Sequence, residues 1–136
     1  MIFKNAIIFR FTKDVENCIP GVPGEFEDAL SLEAFTPVQS SQHSSLGWVN
    51  AIPGQDDLVF ETNDCLFLRL RKDEKVLKPS AIKREVEDEA KRIEQEQGRR
   101  VRKKEKDELR DTVIARHLPH ALTDSTYTVG YIDLNK

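Results

Sequence analysis

From Pro79 to Pro119 the chain runs without an internal proline and with a single glycine, Gly98. Apolar residues are sparse there and recur at helical spacing. Ile82, Val86, Ala90 and Ile93 precede the glycine, and Leu109, Val113 and Ile114 follow it. This pattern predicts two helices, the first ending at Gly98 and the second running to about His117. Pro79 stands just before the first helix or at its first position, and Ser80 is a plausible N-cap. Glu85, Glu87, Asp88 and Glu89 lie toward the end where the helix dipole favours acids. Glu87 with Lys91, and Asp88 with Arg92, are supporting pairs four residues apart. The apolar stripe is narrow, so the helices bury little surface against a body. A helical hairpin projecting from a small sheet domain fits that constraint.

The flanking segments read as strands. Residues 2–12 alternate, with Ile7, Phe9 and Phe11 on one face, and are read as a strand; the small-residue cleavage site of a signal peptide is absent. ENCIPGVPGE is a loop punctuated by prolines and glycines. Residues 25–35 place Phe26, Ala29, Leu30 and Glu33 at helical spacing, before Thr36-Pro37. Leu46, Trp48 and Val49 mark a short strand. Two apolar clusters around Thr62-Asn63-Asp64 signal a hairpin. Residues 125–136 alternate through Tyr127, Val129 and Tyr131. The fold class is therefore α+β, a small antiparallel sheet domain with a projecting helical hairpin. Residues 1–77 and 121–136 form the body and 78–120 the projection. No stretch approaches the length of a membrane span.

Charge is divided unevenly. The formal net charge is −3. Residues 1–68 carry three cations against ten acids, and residues 69–136 carry eighteen against fourteen. Between Arg99 and Lys106 six of eight residues are cationic. Continued as a helix, Arg99, Arg102, Lys103, Lys106 and Arg110 share one face, and like charges so placed repel. Two readings stand at this point. One is a solvated face, neutralised by Glu94, Glu96, Glu105, Asp107, Glu108 and Asp111. The other is a contact with a phosphate backbone, which requires several cations in register and no particular base. Aromatic residues are not interleaved with these cations, which argues against a platform for stacking single-stranded bases.

Enzyme chemistry finds no foothold. His117 and His120 flank Pro119, and no cysteine or acid completes a metal pattern, so neither a metal nor a cofactor is expected. Cys18 and Cys65 lack metal spacing and read as buried or free thiols. The serines around His43 read as a polar loop, and no nucleophile elbow or phosphate-binding glycine loop is present. No catalytic residue is assigned.

Several runs carry a resemblance: FKN at 3–5, AFTP at 34–37, GWV at 47–49, LRLRKDEKVL at 68–77, KKEKDELRD, and LPHAL at 118–122. Together, in order and nearly end to end, they resemble the N-terminal portion of the bacterial recombination-associated RdgC family. That family binds duplex DNA without sequence specificity, forms a ring-shaped dimer with a positively charged hole, and restrains the RecA recombinase. The resemblance implies a cytoplasmic, nucleoid-associated protein that limits recombinase access to DNA. Its phosphate contacts would be Arg99, Arg100, Arg102, Lys103, Lys104 and Lys106, with Arg69, Arg71 and Lys72 as weaker candidates. It further implies that the hairpin tip meets a second subunit near Leu118, Pro119 and Leu122, giving a homodimer or a pairing with a full-length relative. Two positions depart from the family: Leu122 stands where an aromatic is usual, and Asn50 where proline is favoured. A competing reading is a protein-interaction module that uses the tip and the final strand, Tyr127–Asp133, without touching DNA.

Overall fold

A computed structural model of the chain describes residues 4–12 and 23–135. The described elements are α1 (Pro23–Ser31), β1 (Ser44–Val49), β2 (Val59–Thr62), β3 (Cys65–Lys75), α2 (Pro79–Gln97), α3 (Lys103–His117), a 3-10 turn at Leu118–His120, and β4 (Thr123–Asp133). The strands form an open antiparallel sheet, with β3 paired to each of the other three. The fold class is the α+β architecture the sequence predicts. The chain divides into two compact units, one of residues 1–34, 48–69 and 129–136, the other of residues 35–47 and 70–128.

In the first unit the β2–β3 hairpin fixes register. Val59 pairs with Leu68, Phe60 with Phe67, Glu61 with Leu66 and Thr62 with Cys65. Its two-residue turn places Asn63 at φ 45° and Asp64 at φ 59°. Asn and Asp tolerate that left-handed backbone better than other side chains, which is why these residues close the hairpin. Leu66 and Leu68, two apart on β3, are both buried. On the opposite face the Phe67 ring meets Tyr131 edge-on, with centroids 5.3 Å apart. Helix α1 buries Leu30, and Glu27 accepts a hydrogen bond from the Leu58 amide at 2.6 Å.

Two expectations fail in this unit. Residues 4–12 are described, and they are exposed and outside any strand, despite their alternation. Ile8 is 92% exposed and Phe9 82%. Alternation shows which residues would share a face, but a strand needs a neighbouring edge to bond. Helix α1 stops at Ser31, short of Phe35, because the chain turns to bond β1: the Trp48 amide donates to the Glu33 carbonyl at 2.9 Å. Cys65 is a free thiol, half-buried. Cys18 and the Pro- and Gly-rich stretch 16–22 lie outside the described residues.

The second unit holds the helical hairpin. Ile82, Val86 and Ala90 recur every four residues on α2 and are buried. Ile82 and Val86 pack with Val113, which is fully buried, and with Leu109 and Ile114. Ion pairs fasten the ends far from the tip. Arg116 reaches Glu85 at 2.6 Å and Glu89 at 2.9 Å, and His117 Nε2 lies 2.6 Å from Glu85. These bonds, that to His117 first, hold the Glu85 carboxyl below its ordinary range. Lys75 Nζ donates to the carbonyls of Leu118 and Ser40, tying the 3-10 turn and the loop before β1 to β3.

Helix α2 begins two residues earlier than a Ser80 cap requires. Lys78 occupies the N-cap position, no side chain caps it, and Pro79 takes the first helical position. Proline has no amide hydrogen to leave unsatisfied there, which makes it the start signal. The helix ends at Gly98, at φ 61°, whose amide donates to the Glu94 carbonyl at 3.0 Å. The i,i+4 ion pairs that form are Lys83 with Glu87 and Arg92 with Glu96, in place of those expected from spacing.

Candidate nucleic-acid interface

The basic run does not form one helical face. Gly98 through Arg102 make a non-helical turn, and α3 begins at Lys103. Lys103, Lys106 and Arg110 keep their common face on α3, while Arg99 and Arg102 fall in the turn before it. The reason lies in acidic residues on both sides. Glu94 Oε1 accepts the Val101 amide at 2.9 Å, and Val101 is buried. Glu105 Oε2 accepts the Arg102 amide at 3.1 Å, the reverse arm of a capping box. A guanidinium carries no acceptor, so the forward arm has nothing to offer the helix.

Arg99 is committed within this turn. Its Nε donates to Gln97 Oε1 at 2.7 Å. Its two terminal nitrogens meet the two Glu105 oxygens at 2.9 and 2.7 Å, and Nη1 also reaches the Arg100 carbonyl. This is the fork-to-fork geometry in which arginine binds carboxylate best. The Arg99 guanidinium, and then the Arg102 amide, hold the Glu105 carboxyl down to about 2.

The remaining tip cations are different. Arg100, Arg102, Lys103, Lys104 and Lys106 are all exposed, and among the described residues none forms an ion pair. Arg100, Arg102 and Lys104 line an open concavity of about 600 Å³ together with the Arg99–Glu105 pair. Lys103 and Lys104 occupy the first turn of α3, where the helix dipole is already positive. Glu105 offsets part of that repulsion by capping the backbone. The rest stands as a concentrated positive potential at the tip.

The β3 cations are engaged. Arg71 donates twice to Asp73, at 2.8 and 2.9 Å, and once to Ser125. Its guanidinium also lies 4.4 Å from the Phe35 ring centroid and 5.8 Å from that of Tyr127. Asp73 is buried, and its carboxyl is held below its ordinary range, chiefly by the Arg71 bond. Lys72 pairs with Glu74 at 2.7 Å. Arg69 is half-buried in β3.

Of the apolar residues expected at a partner contact, Leu118 is 4% exposed and packs inside its unit, unlike Leu122 at 82%; Pro119 is exposed. His117, His120, Glu85 and Asp88 line a groove of about 390 Å³ beside the start of α2. Among the described residues no cluster of three histidines, cysteines or carboxylates is placed to hold a metal ion, and no helix is long and apolar enough to cross a membrane.

Sequence reading named Glu94 and Glu105 among the acids around the basic run, but missed their part, with Gln97, as the scaffold of the turn. A signal existed for one of them: Glu105 stands three residues after the N-cap, the acidic position of a capping box. The other two act through the turn, which only the fold reveals.

Comparison with known proteins gives a consistent answer. Residues 1–136 match a family described as "Putative exonuclease, RdgC". Among curated relatives, the chain is 38% identical over 132 residues to the recombination-associated protein RdgC of Edwardsiella ictaluri strain 93-146. It is 35% identical over 132 residues to the proteins of the same name from Yersinia pestis strain Pestoides F and Yersinia pseudotuberculosis strain YPIII. Each match covers 96% of this chain and 42% of the relative's length.

Proposed function

Because the chain belongs to the RdgC family of recombination-associated proteins, we propose that it is a non-specific duplex DNA binder that modulates recombination by restricting recombinase access to DNA. The observation that carries this reading is the tip. Five exposed cations crowd residues 100–106, while the acids within the turn are spent on its own backbone and on Arg99. Exposed like charges held together at a helix start suit a polyanion, and a duplex backbone supplies phosphates without requiring base contacts. RecA is the recombinase this reading names, and the nucleoid is where the protein would act.

The contacts in this reading are Arg100, Arg102, Lys103, Lys104 and Lys106. Arg71 and Lys72 contribute less, since each already holds an acid. Replacing Arg102, Lys103 and Lys104 with glutamate should abolish binding to a short duplex, with the circular dichroism spectrum retained. Unchanged affinity would remove the tip from the site.

In this reading the chain binds DNA without cutting it, although the family description names an exonuclease. End-labelled duplex incubated with the chain and Mg²⁺ should stay intact; progressive loss of terminal nucleotides would make it an enzyme. A second reading, pairing with a second copy or with a full-length relative, draws on Leu122 and Val76. They are 82% and 58% exposed and joined by the Val76 amide donating to the Leu122 carbonyl. Light scattering at high concentration, alone and mixed with such a relative, tests it.

A further inference from the structure

The sixth tip cation, Arg99, is exposed like the other five but is held differently. Arg99 offers five N–H donors in a rigid fork. The turn uses the fork on four acceptors: Gln97 Oε1, the Arg100 carbonyl and both Glu105 oxygens. Glu105 in turn holds the Arg102 amide. Arg99 therefore bridges the last residues of α2 to the first turn of α3. Arg100 and Arg102, which the turn displays, lie between those two ends.

Resting on the DNA-binding reading above, we infer that Arg99 is a positioning residue: it contacts no phosphate, and with Glu105 it fixes the turn that presents Arg100 and Arg102 to the duplex. Two physical arguments support this. Taking Arg99 to a phosphate would strip Glu105 of both guanidinium bonds and leave its carboxylate beside a polyanion. A loop already ordered loses less conformational freedom on binding, so the fixed turn improves affinity without adding a contact. The tip then neutralises five phosphates at most, not six.

The test separates a contact from a positioning role by reading salt slope, affinity and turn order together. The double variant Arg99→Gln/Glu105→Gln removes the pair and keeps the net charge. Duplex binding of the full chain is followed by fluorescence anisotropy from low to moderate salt. Amide hydrogen exchange is followed at Val101, Arg102 and Lys106. The inference predicts a log–log salt slope equal to that of the unsubstituted chain, affinity weaker severalfold at every salt, and faster exchange at the three amides. Arg102→Gln serves as the comparison: it should shorten the slope by about 0.9, the value of one phosphate contact. Arg99→Lys keeps the charge but loses the fork, and it should resemble the double variant in exchange.

A slope shortened by about 0.9 in the double variant would make Arg99 a phosphate contact and overturn the inference. Unchanged affinity together with unchanged exchange would overturn it as well. If the unsubstituted chain binds no duplex at low salt, the DNA reading fails by itself, and the positioning role falls with it; faster exchange at the three amides would then show that Arg99 orders the turn for its own sake.

Discussion

Arg99 and Glu105 close on one another across the turn between α2 and α3, each terminal guanidinium nitrogen on its own carboxylate oxygen, at 2.9 and 2.7 Å. That contact decides which of the tip cations face outward. It also gives the turn a pH dependence of defined sign. The carboxyl of Glu105 is held near 2, against 4.5 for the free side chain. A depressed carboxylate contributes its full stabilisation above the unfolded value and loses it as pH falls toward the folded one. Turn order should therefore be intact above about pH 4.5 and decay toward pH 2. Carboxyl chemical shifts followed by NMR should place the Glu105 titration well below that of an ordinary glutamate. A midpoint in the ordinary range would mean that the pair does not persist in solution.

Gly98 carries a backbone prediction free of packing. At φ 61° it occupies the left-handed region, and a Cβ there would meet no heavy atom within 4 Å. Gly98→Ala should thus cost only conformational strain, about 1 kcal/mol, measured as a lower urea midpoint at unchanged m-value. Asparagine, which tolerates this region better, should cost less than alanine. An alanine variant as stable as the parent would show that the turn relaxes to another backbone.

The hairpin's small core makes Val113 its most sensitive site. It is fully buried between the stripe of α2 and its own helix. Val113→Ala should destabilise by about 2 kcal/mol, from lost burial plus an unfilled cavity. Substituting exposed Arg110 by alanine should change stability little. Equal effects at both positions would mean the helices do not pack as described.

Asp73 is buried under Arg71, and removing its charge leaves the guanidinium between Phe35 and Tyr127 without its carboxylate. Asp73→Asn should lower the thermal midpoint clearly. Because its carboxyl is depressed, that stabilisation is present above the free-aspartate value of 3.8 and disappears as pH falls through the lower folded value. The gap in midpoint between parent and variant should then narrow on acidification. Arg71→Gln should likewise reduce stability, and it should change the salt slope of duplex binding by less than the roughly 0.9 of a full phosphate contact.

Much of this was legible in the residues. Asn63-Asp64 closed the hairpin where its turn chemistry placed it, and Gly98 ended α2. The spacing of Ile82, Val86 and Ala90 named the buried stripe. What failed shares one cause, the dependence of local structure on distant partners. The alternation at Ile7, Phe9 and Phe11 marks a segment able to pair, yet no periodicity says whether an edge awaits it. Helix α1 ended early because Glu33 bonds Trp48, fifteen positions on. The cations were read as one helical face because Arg99 and Arg102 have the right spacing, and spacing does not register a salt bridge that folds the chain out of the helix. The tip was found by charge density alone, and its division into one scaffold arginine and five displayed cations needed the geometry.

The most direct test is the salt dependence of duplex binding by the unsubstituted chain. Anisotropy of a short fluorescent duplex, titrated at several salt concentrations, gives a log–log slope of about −0.9 for each phosphate neutralised. The account predicts measurable binding at low salt and a slope between about −3 and −4.5, the range for three to five displayed cations. Absence of binding at low salt, or affinity indifferent to salt, would contradict it and leave the tip cations as a solvated surface.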